Sequence, residues 1–305
     1  MNAPTLPRLT YFAFPLLAVL IWSGNMVVTK MAAGVIAPFT IGFYRWVIAG
    51  AALTPFLLGP VWRARASILP HLGKLAILSM LGMAIFQSLA YLAAASTTAT
   101  NMGFITALVP LLTIGVGAVV LRERPRAQAL LGGLLSLGGI SILVSHGDPA
   151  SLLSTGVNRG DLMMFVAALG YALYGVLLRK WALPIPPWHS LYIQVLVVIL
   201  LQLPPFLLTP ISPITGENLP VLLYAAILPS LFAPYLWLRA VGLLGPARAS
   251  IFINLTPVFT VVIAATLLAE PVAGYHLAGG AITLAGVMLA QWRGRERRVT
   301  TSSRG

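Results

Sequence analysis

Leu108–Gly139 reads LVPLLTIGVGAVVLRERPRAQALLGGLLSLGG, and 147 residues further on Leu255–Gly286 reads LTPVFTVVIAATLLAEPVAGYHLAGGAITLAG. Each stretch is an apolar run, a short break carrying a glutamate, and a second apolar run marked by glycines. Laid on one another without a gap, the wider segments 98–140 and 245–287 share eleven of 43 residues. Pro110/Pro257, Glu123/Glu270, Gly132/Gly279, Gly133/Gly280 and Gly139/Gly286 are among them. Apolar composition alone does not align prolines, acids and glycines in one register, so the chain contains two copies of one unit.

The copies are hydrophobic throughout. Of 305 residues 59% are hydrophobic and 8% charged, with a mean hydropathy of +0.93. A soluble domain carries about 25% charged residues because its whole exterior meets water. Most of this exterior must therefore face lipid. A helix needs about 20 apolar residues to cross the hydrocarbon layer. Ten runs of that order follow one another: Tyr11–Ala33, Pro38–Gly59, Leu72–Ala95, Ala99–Leu121, Arg126–Ser145, Gly160–Trp181, Trp188–Thr209, Asn218–Val241, Ala247–Leu268 and Val272–Trp292. The first exceeds a secretory h-region of roughly 7–15 residues and holds Lys30 before any cleavage site, so it reads as a retained helix.

Basic residues test the count. With the N-terminus in the cytoplasm, Arg8, Arg63, Arg65, Lys74, Arg122, Arg124, Arg126, Arg179, Lys180, Arg239, Arg248 and the tail arginines 293, 295, 297, 298 and 304 all fall inside. Only Lys30 and Arg159 fall outside, and Arg45 alone lies within a span. This is the positive-inside pattern, and nine or eleven spans would destroy it. The net charge of +13 is thus a membrane signature. No continuous basic stripe of a nucleic-acid binder is present, and no nucleic-acid partner is expected. Five spans per copy place the second copy upside down, the inverted-repeat plan of many secondary transporters. The expected architecture is all-α: two inverted five-helix repeats, 11–145 and 160–292, around a central cavity, with a basic cytoplasmic tail over 293–305.

Phe43-Tyr44-Arg45-Trp46 in the second span, Pro110 in the fourth, and Leu121-Arg122-Glu123 followed by Gly132-Gly133 and Gly138-Gly139 resemble the EamA module of the drug/metabolite transporter superfamily. The second copy is similar through Pro257, Leu268-Ala269-Glu270, Gly279-Gly280 and Gly286. Within the superfamily the chain looks most like the YddG-type amino-acid exporters. The resemblance implies an inner-membrane exporter whose cavity is lined by inner helices of both repeats.

Several residues are candidates for contact with a solute. Arg45 deep in a span costs roughly 2.5–3.5 kcal/mol on insertion scales and must face protein or water. It serves either as counter-charge to a carboxylate or as a structural clamp between helices. Trp22, Asn25 and Thr29 share one helical face, and Asn25 either meets substrate or hydrogen-bonds a neighbouring helix. Gln87 and Tyr91 stand one turn apart on the third span, an amide and a phenol suited to a zwitterion in an apolar pocket. Asn101 is the polar candidate of the fourth span, Tyr171 and Tyr174 of the sixth, Tyr235 and Trp237 of the eighth, and Asn254 of the ninth. For the aromatics the competing role is anchoring at the interface, the role assigned to Trp62, Trp181, Trp188 and Trp292. Pro229, Pro234 and Pro257 are hinges or packing bends, and the glycine pairs are places of close helix contact. Glu123 and Glu270 are expected to cap helix starts. Asp148, Asp161, Glu217 and Glu296 are assigned to loops and tails, which favours facilitated or exchange transport over ion coupling.

Absent motifs narrow the function. There is no G-x-x-x-x-G-K-[ST] loop for an ATP-driven pump, no cysteine, and no clustered histidine. No cofactor or metal and no enzymatic activity are expected. A small-molecule exporter of amino acids or similar zwitterions, monomeric or dimeric in the lipid, is the leading reading. An exchanger of phosphorylated or nucleotide-linked metabolites would require more inward-facing cations. An intramembrane enzyme on lipid-linked substrates would require acidic or His pairs within spans, and a channel would not require the inverted repeat.

Overall fold

The computed structural model describes residues 10–32, 35–93, 96–97, 105–151, 158–267 and 272–291, and they form ten helices. We number them α1 (Thr10–Ala32), α2 (Pro38–Arg63), α3 (65–93), α4 (Val109–Val120), α5 (Ala127–Val144), α6 (Arg159–Trp181), α7 (Pro187–Leu207), α8 (Leu219–Leu244), α9 (246–267) and α10 (Gly274–Gln291). Six of these, α2, α3 and α6 to α9, are long and apolar enough to cross a membrane by themselves. The eighteen residues of α5 rise about 27 Å, close to the roughly 30 Å hydrocarbon thickness. Proline opens α2 and α7 at their first or second position, where its missing N–H has no intrahelical partner to lose.

Packing follows a two-fold rule. α5 pairs with α10 and α2 with α7; α1 packs on α8 and α9, as α6 packs on α3 and α4. Exchanging each helix for the one five places along leaves this set of neighbours unchanged. Because each copy holds an odd number of helices, the axis relating them lies in the membrane plane. It runs beside Ser136 and Thr283, a pair 147 residues apart joined by a hydrogen bond of 3.4 Å from the serine hydroxyl to the threonine carbonyl. Around it, a Cβ on Gly132 would lie 2.5 Å from the Gly286 carbonyl, and one on Gly139 would lie 2.5 Å from the Thr283 amide. Only one glycine of each pair serves this crossing. Gly138 has open space beside it, and Gly133 and Gly280 meet only side chains.

The repeat extends to irregular backbone. α3 and α8 each contain a wide π-type turn, at Met80–Ile85 and Leu228–Phe232. The 147-residue offset carries 81–85 onto 228–232. In α8 the cause is visible. Pro229 cannot donate to the Ala225 carbonyl, and the Ser230 hydroxyl does so instead at 2.7 Å. In α3 the equivalent residue is Gly82, whose bare backbone lies against the Tyr174 ring. α4 and α9 begin their regular α-helix at Val109 and Thr256, again 147 apart, with Pro110 and Pro257 at the second position. The residues before Pro257 are wound as a 3₁₀ segment, Ile251–Leu255.

Two expectations need correction. Glu123 does not cap α5. Arg126 occupies that position without a side-chain cap, and Pro125 disfavours helix at the preceding Arg124, so the helix starts beyond the glutamate. Asp161 is not in a loop: it is the third residue of α6 and completes a capping box with Asn158. Its carboxylate accepts from the Asn158 amide and the Thr97 hydroxyl, and the residue is 7% exposed. Glu270, Trp292 and the tail lie outside the described residues.

Candidate functional site

Between the repeats lies an aromatic cluster supplied by four helices. Trp22 of α1 sits 5.4 Å from Trp237 of α8 and 6.3 Å from Tyr171 of α6, measured between ring centroids. Tyr171 lies 5.9 Å from Trp237, 5.6 Å from Tyr174 and 5.4 Å from Phe86 of α3. Centroid separations of 4.5–7 Å in tilted or edge-on geometry are those aromatic pairs prefer. Two helices come from each copy, so the cluster straddles the two-fold.

Both π-type turns hold this cluster. The Trp22 indole donates to the Pro229 carbonyl at 3.3 Å, and Tyr174 packs on Gly82. An aromatic from the first helix of each repeat thus seats on the widened turn of the other repeat's third helix. Such turns recur at functional sites because they re-aim side chains and leave backbone groups available.

Polar groups are few. The Trp237 indole nitrogen and both amide atoms of Asn254 are buried without a hydrogen-bond partner among the described residues; these residues are 2% and 1% exposed. Asn254 belongs to the 3₁₀ segment of α9, and its neighbours Ile253 and Leu255 share a hydrophobic cluster with Trp22, Tyr174 and Trp237. Leaving a buried polar group unpaired costs about 1–3 kcal/mol. A few polar groups set among apolar side chains are what small-molecule sites use to orient a ligand. No group of three or more His, Cys, Asp or Glu side chains that could hold a metal converges among the described residues.

The remaining expected site residues are dispersed. Asn25 is half-buried one turn beyond Trp22, and Gln87 is half-buried beside Phe86. The side chain of Tyr91, and Asn101 altogether, lie outside the described residues. Tyr235 is directed elsewhere: it stacks on Trp188 of α7 at 4.1 Å and 11°. Two residues along a helix turn the direction by about 200°, so Tyr235 and Trp237 do not face the same cluster. Trp188, expected at the lipid interface, is the second residue of α7 and supplies the other ring of that stack. Arg45, 8% exposed, donates through Nε to the Ser230 hydroxyl at 2.7 Å. It therefore supports the serine that closes the gap left by Pro229, joining α2 to the turn of α8. The buried amides Gln194 and Gln202 of α7 were not among the expected residues. Gln194 accepts through its backbone from the Ser79 hydroxyl, and Gln202 donates to Ser88. Amides in an apolar span were the available signal.

A duplicated ten-helix bundle whose halves meet over a shared aromatic cluster has the plan of many secondary transporters. The chain belongs to the EamA-like transporter family, whose sequence model matches residues 9–145 and 158–292. It is 30% identical over 280 residues to an uncharacterized transporter of Archaeoglobus fulgidus, covering 90% of this chain and 94% of that one. It is 24% identical over 306 residues to a probable amino-acid metabolite efflux pump of Salmonella typhimurium, covering 94% and 97%. A protein of known crystal structure superposes with a TM-score of 0.75 at 19% identity, over 93% of this chain and 97% of that one, which speaks for the fold. The protein is a multi-pass membrane transporter of small molecules and not an enzyme.

Proposed function

We propose that this transporter exports amino acids or similar small zwitterionic metabolites by alternating access. It would do so from the inner membrane, with both termini on the cytoplasmic side. The observation that carries the reading is the aromatic cluster between the repeats, together with the unpartnered Trp237 N–H and Asn254 amide buried there. The rings offer an apolar surface to a side chain; the indole N–H suits a carboxylate, and the amide suits either charged end of a zwitterion. The printed name of the Salmonella relative points to the same substrate class. Among the described acidic residues none sits in the middle of a span, which favours facilitated or exchange transport over a proton-driven cycle.

Uptake of a labelled amino-acid panel into proteoliposomes, with and without a pH gradient, tests this reading. Saturable flux without the gradient is expected; no saturable flux for any amino acid overturns the substrate class. Trp237→Phe removes one donor while keeping an aromatic ring. It should raise apparent KM roughly five- to tenfold, the worth of one hydrogen bond. An unchanged KM would remove the indole from the site.

A further inference from the structure

On the arginine-rich side of the bundle a cleft of about 450 Å³ opens between the α4–α5 connection, the end of α6 and the α8–α9 turn. Arg124, Arg126, Arg179 and Arg248 line it, with Glu123 as its acid, while Leu121 and Leu244 form part of its apolar wall. Counting those side chains alone, the lining carries a net charge of +3. Arg179 lies five residues beyond Tyr174 on α6, about 7.5 Å further along the axis, which sets the cleft apart from the aromatic cluster.

One further feature favours an anion here. α5 starts at this wall with no capping side chain and no acid in its first turn, so its N–H groups add positive potential. The connection over 122–126 that precedes it has no regular secondary structure.

We infer that this cleft binds the phosphate headgroup of an anionic membrane lipid. The level is right, because α4 ends, α5 begins and α6 ends beside it, where apolar helix gives way to polar connection. Basic pockets between membrane helices are a recognised form of headgroup site. The apolar wall favours a lipid over a free phosphate, since inorganic phosphate has no use for leucine. Such a ligand would touch α4, α5, α6 and the α8–α9 turn together. It therefore bridges the two repeats and favours the arrangement in which these ends meet.

The full-length chain in neutral detergent, titrated with phosphatidylglycerol, phosphatidylcholine or inorganic phosphate and followed by native mass spectrometry and melting temperature, decides the matter. Phosphatidylglycerol should be retained and should raise the melting temperature; the other two should not. Replacing Arg124, Arg126 and Arg179 by Gln should weaken phosphatidylglycerol binding about fivefold per arginine, about a hundredfold in all. Replacing the same three by Lys should preserve most of it. Arg179→Gln alone gives the fivefold readout should the triple variant fold poorly. Arg63→Gln with Arg65→Gln, basic positions outside the cleft, should leave binding unchanged. Unaltered binding in the Gln variants overturns the inference, as does an equal loss in the Arg63/Arg65 control. Inorganic phosphate matching phosphatidylglycerol would replace the lipid with a soluble anion.

Discussion

Substituting Gly139 by Ala probes the crossing of α5 and α10. The new Cβ would stand 2.5 Å from the Thr283 amide nitrogen and 2.6 Å from the Gly279 carbonyl. Ordinary contact begins near 3.5 Å, so the helices must part by about 1 Å. Both obstacles include backbone, which cannot swing aside as a side chain end would. A gap of 0.5–1 Å forfeits a quarter to a half of each dispersion contact, and no hydrophobic gain offsets it, because lipid is as apolar as leucine. Overpacking of this kind costs about 1–3 kcal/mol. Gly286→Ala strikes the symmetry-related contact and should cost the same to within about 0.5 kcal/mol. Gly138→Ala, one residue away with nothing within 4 Å of its Cβ, should be neutral within about 0.5 kcal/mol. Combining Gly139→Ala with Gly286→Ala should cost less than their sum, since helices already parted accept a second methyl group. Unfolding of the reconstituted protein by SDS, followed by tryptophan fluorescence, measures all four. Equal stability of the Gly139→Ala and Gly138→Ala proteins would refute the two-fold packing argument.

Gly82→Ala places a Cβ 2.8 Å from the Tyr174 ring and should reduce flux in proteoliposomes, while Gly73→Ala, in open space, should not. Arg45→Gln should destabilise by about 1.5–3 kcal/mol, the worth of a charged hydrogen bond; much of that loss should disappear in a Ser230→Ala background, a coupling read from a double-mutant cycle. Asp161→Asn weakens the cap of α6 and should cost about 1 kcal/mol of stability, seen as a lower melting temperature with unchanged KM.

Much of the architecture was legible in the chain because it rests on composition and register. Hydropathy marks the spans, and the shared offset of Pro110/Pro257 and Gly139/Gly286 exposes the duplication. Both are properties of a position in the sequence, independent of its neighbours in space. The wide turns were not legible. Gly82 and Pro229 occupy equivalent places, yet one acts by having no side chain and the other by lacking a donor, so the two segments share no motif. Facing was only partly legible. Trp22, Tyr171, Tyr174 and Trp237, candidates drawn from three spans, converge, but Tyr235 is turned to Trp188 by the helical phase. That phase becomes decisive only once the neighbouring helix is known. The cap at Asp161 was hidden for a related reason: α6 begins one residue earlier than the apolar run implies.

The matching of the two bent helices bears on direction. If each half takes up the other's shape, the bundle is turned inside out with its joints simply exchanged, so the architecture by itself favours neither face. A preference for one access state must arise where the copies differ: Trp237 stands where the first copy has Ala90, and α7 holds no Lys or Arg to match Arg45. Which face the molecule prefers at rest is thus set by a few unmatched side chains on an otherwise impartial frame.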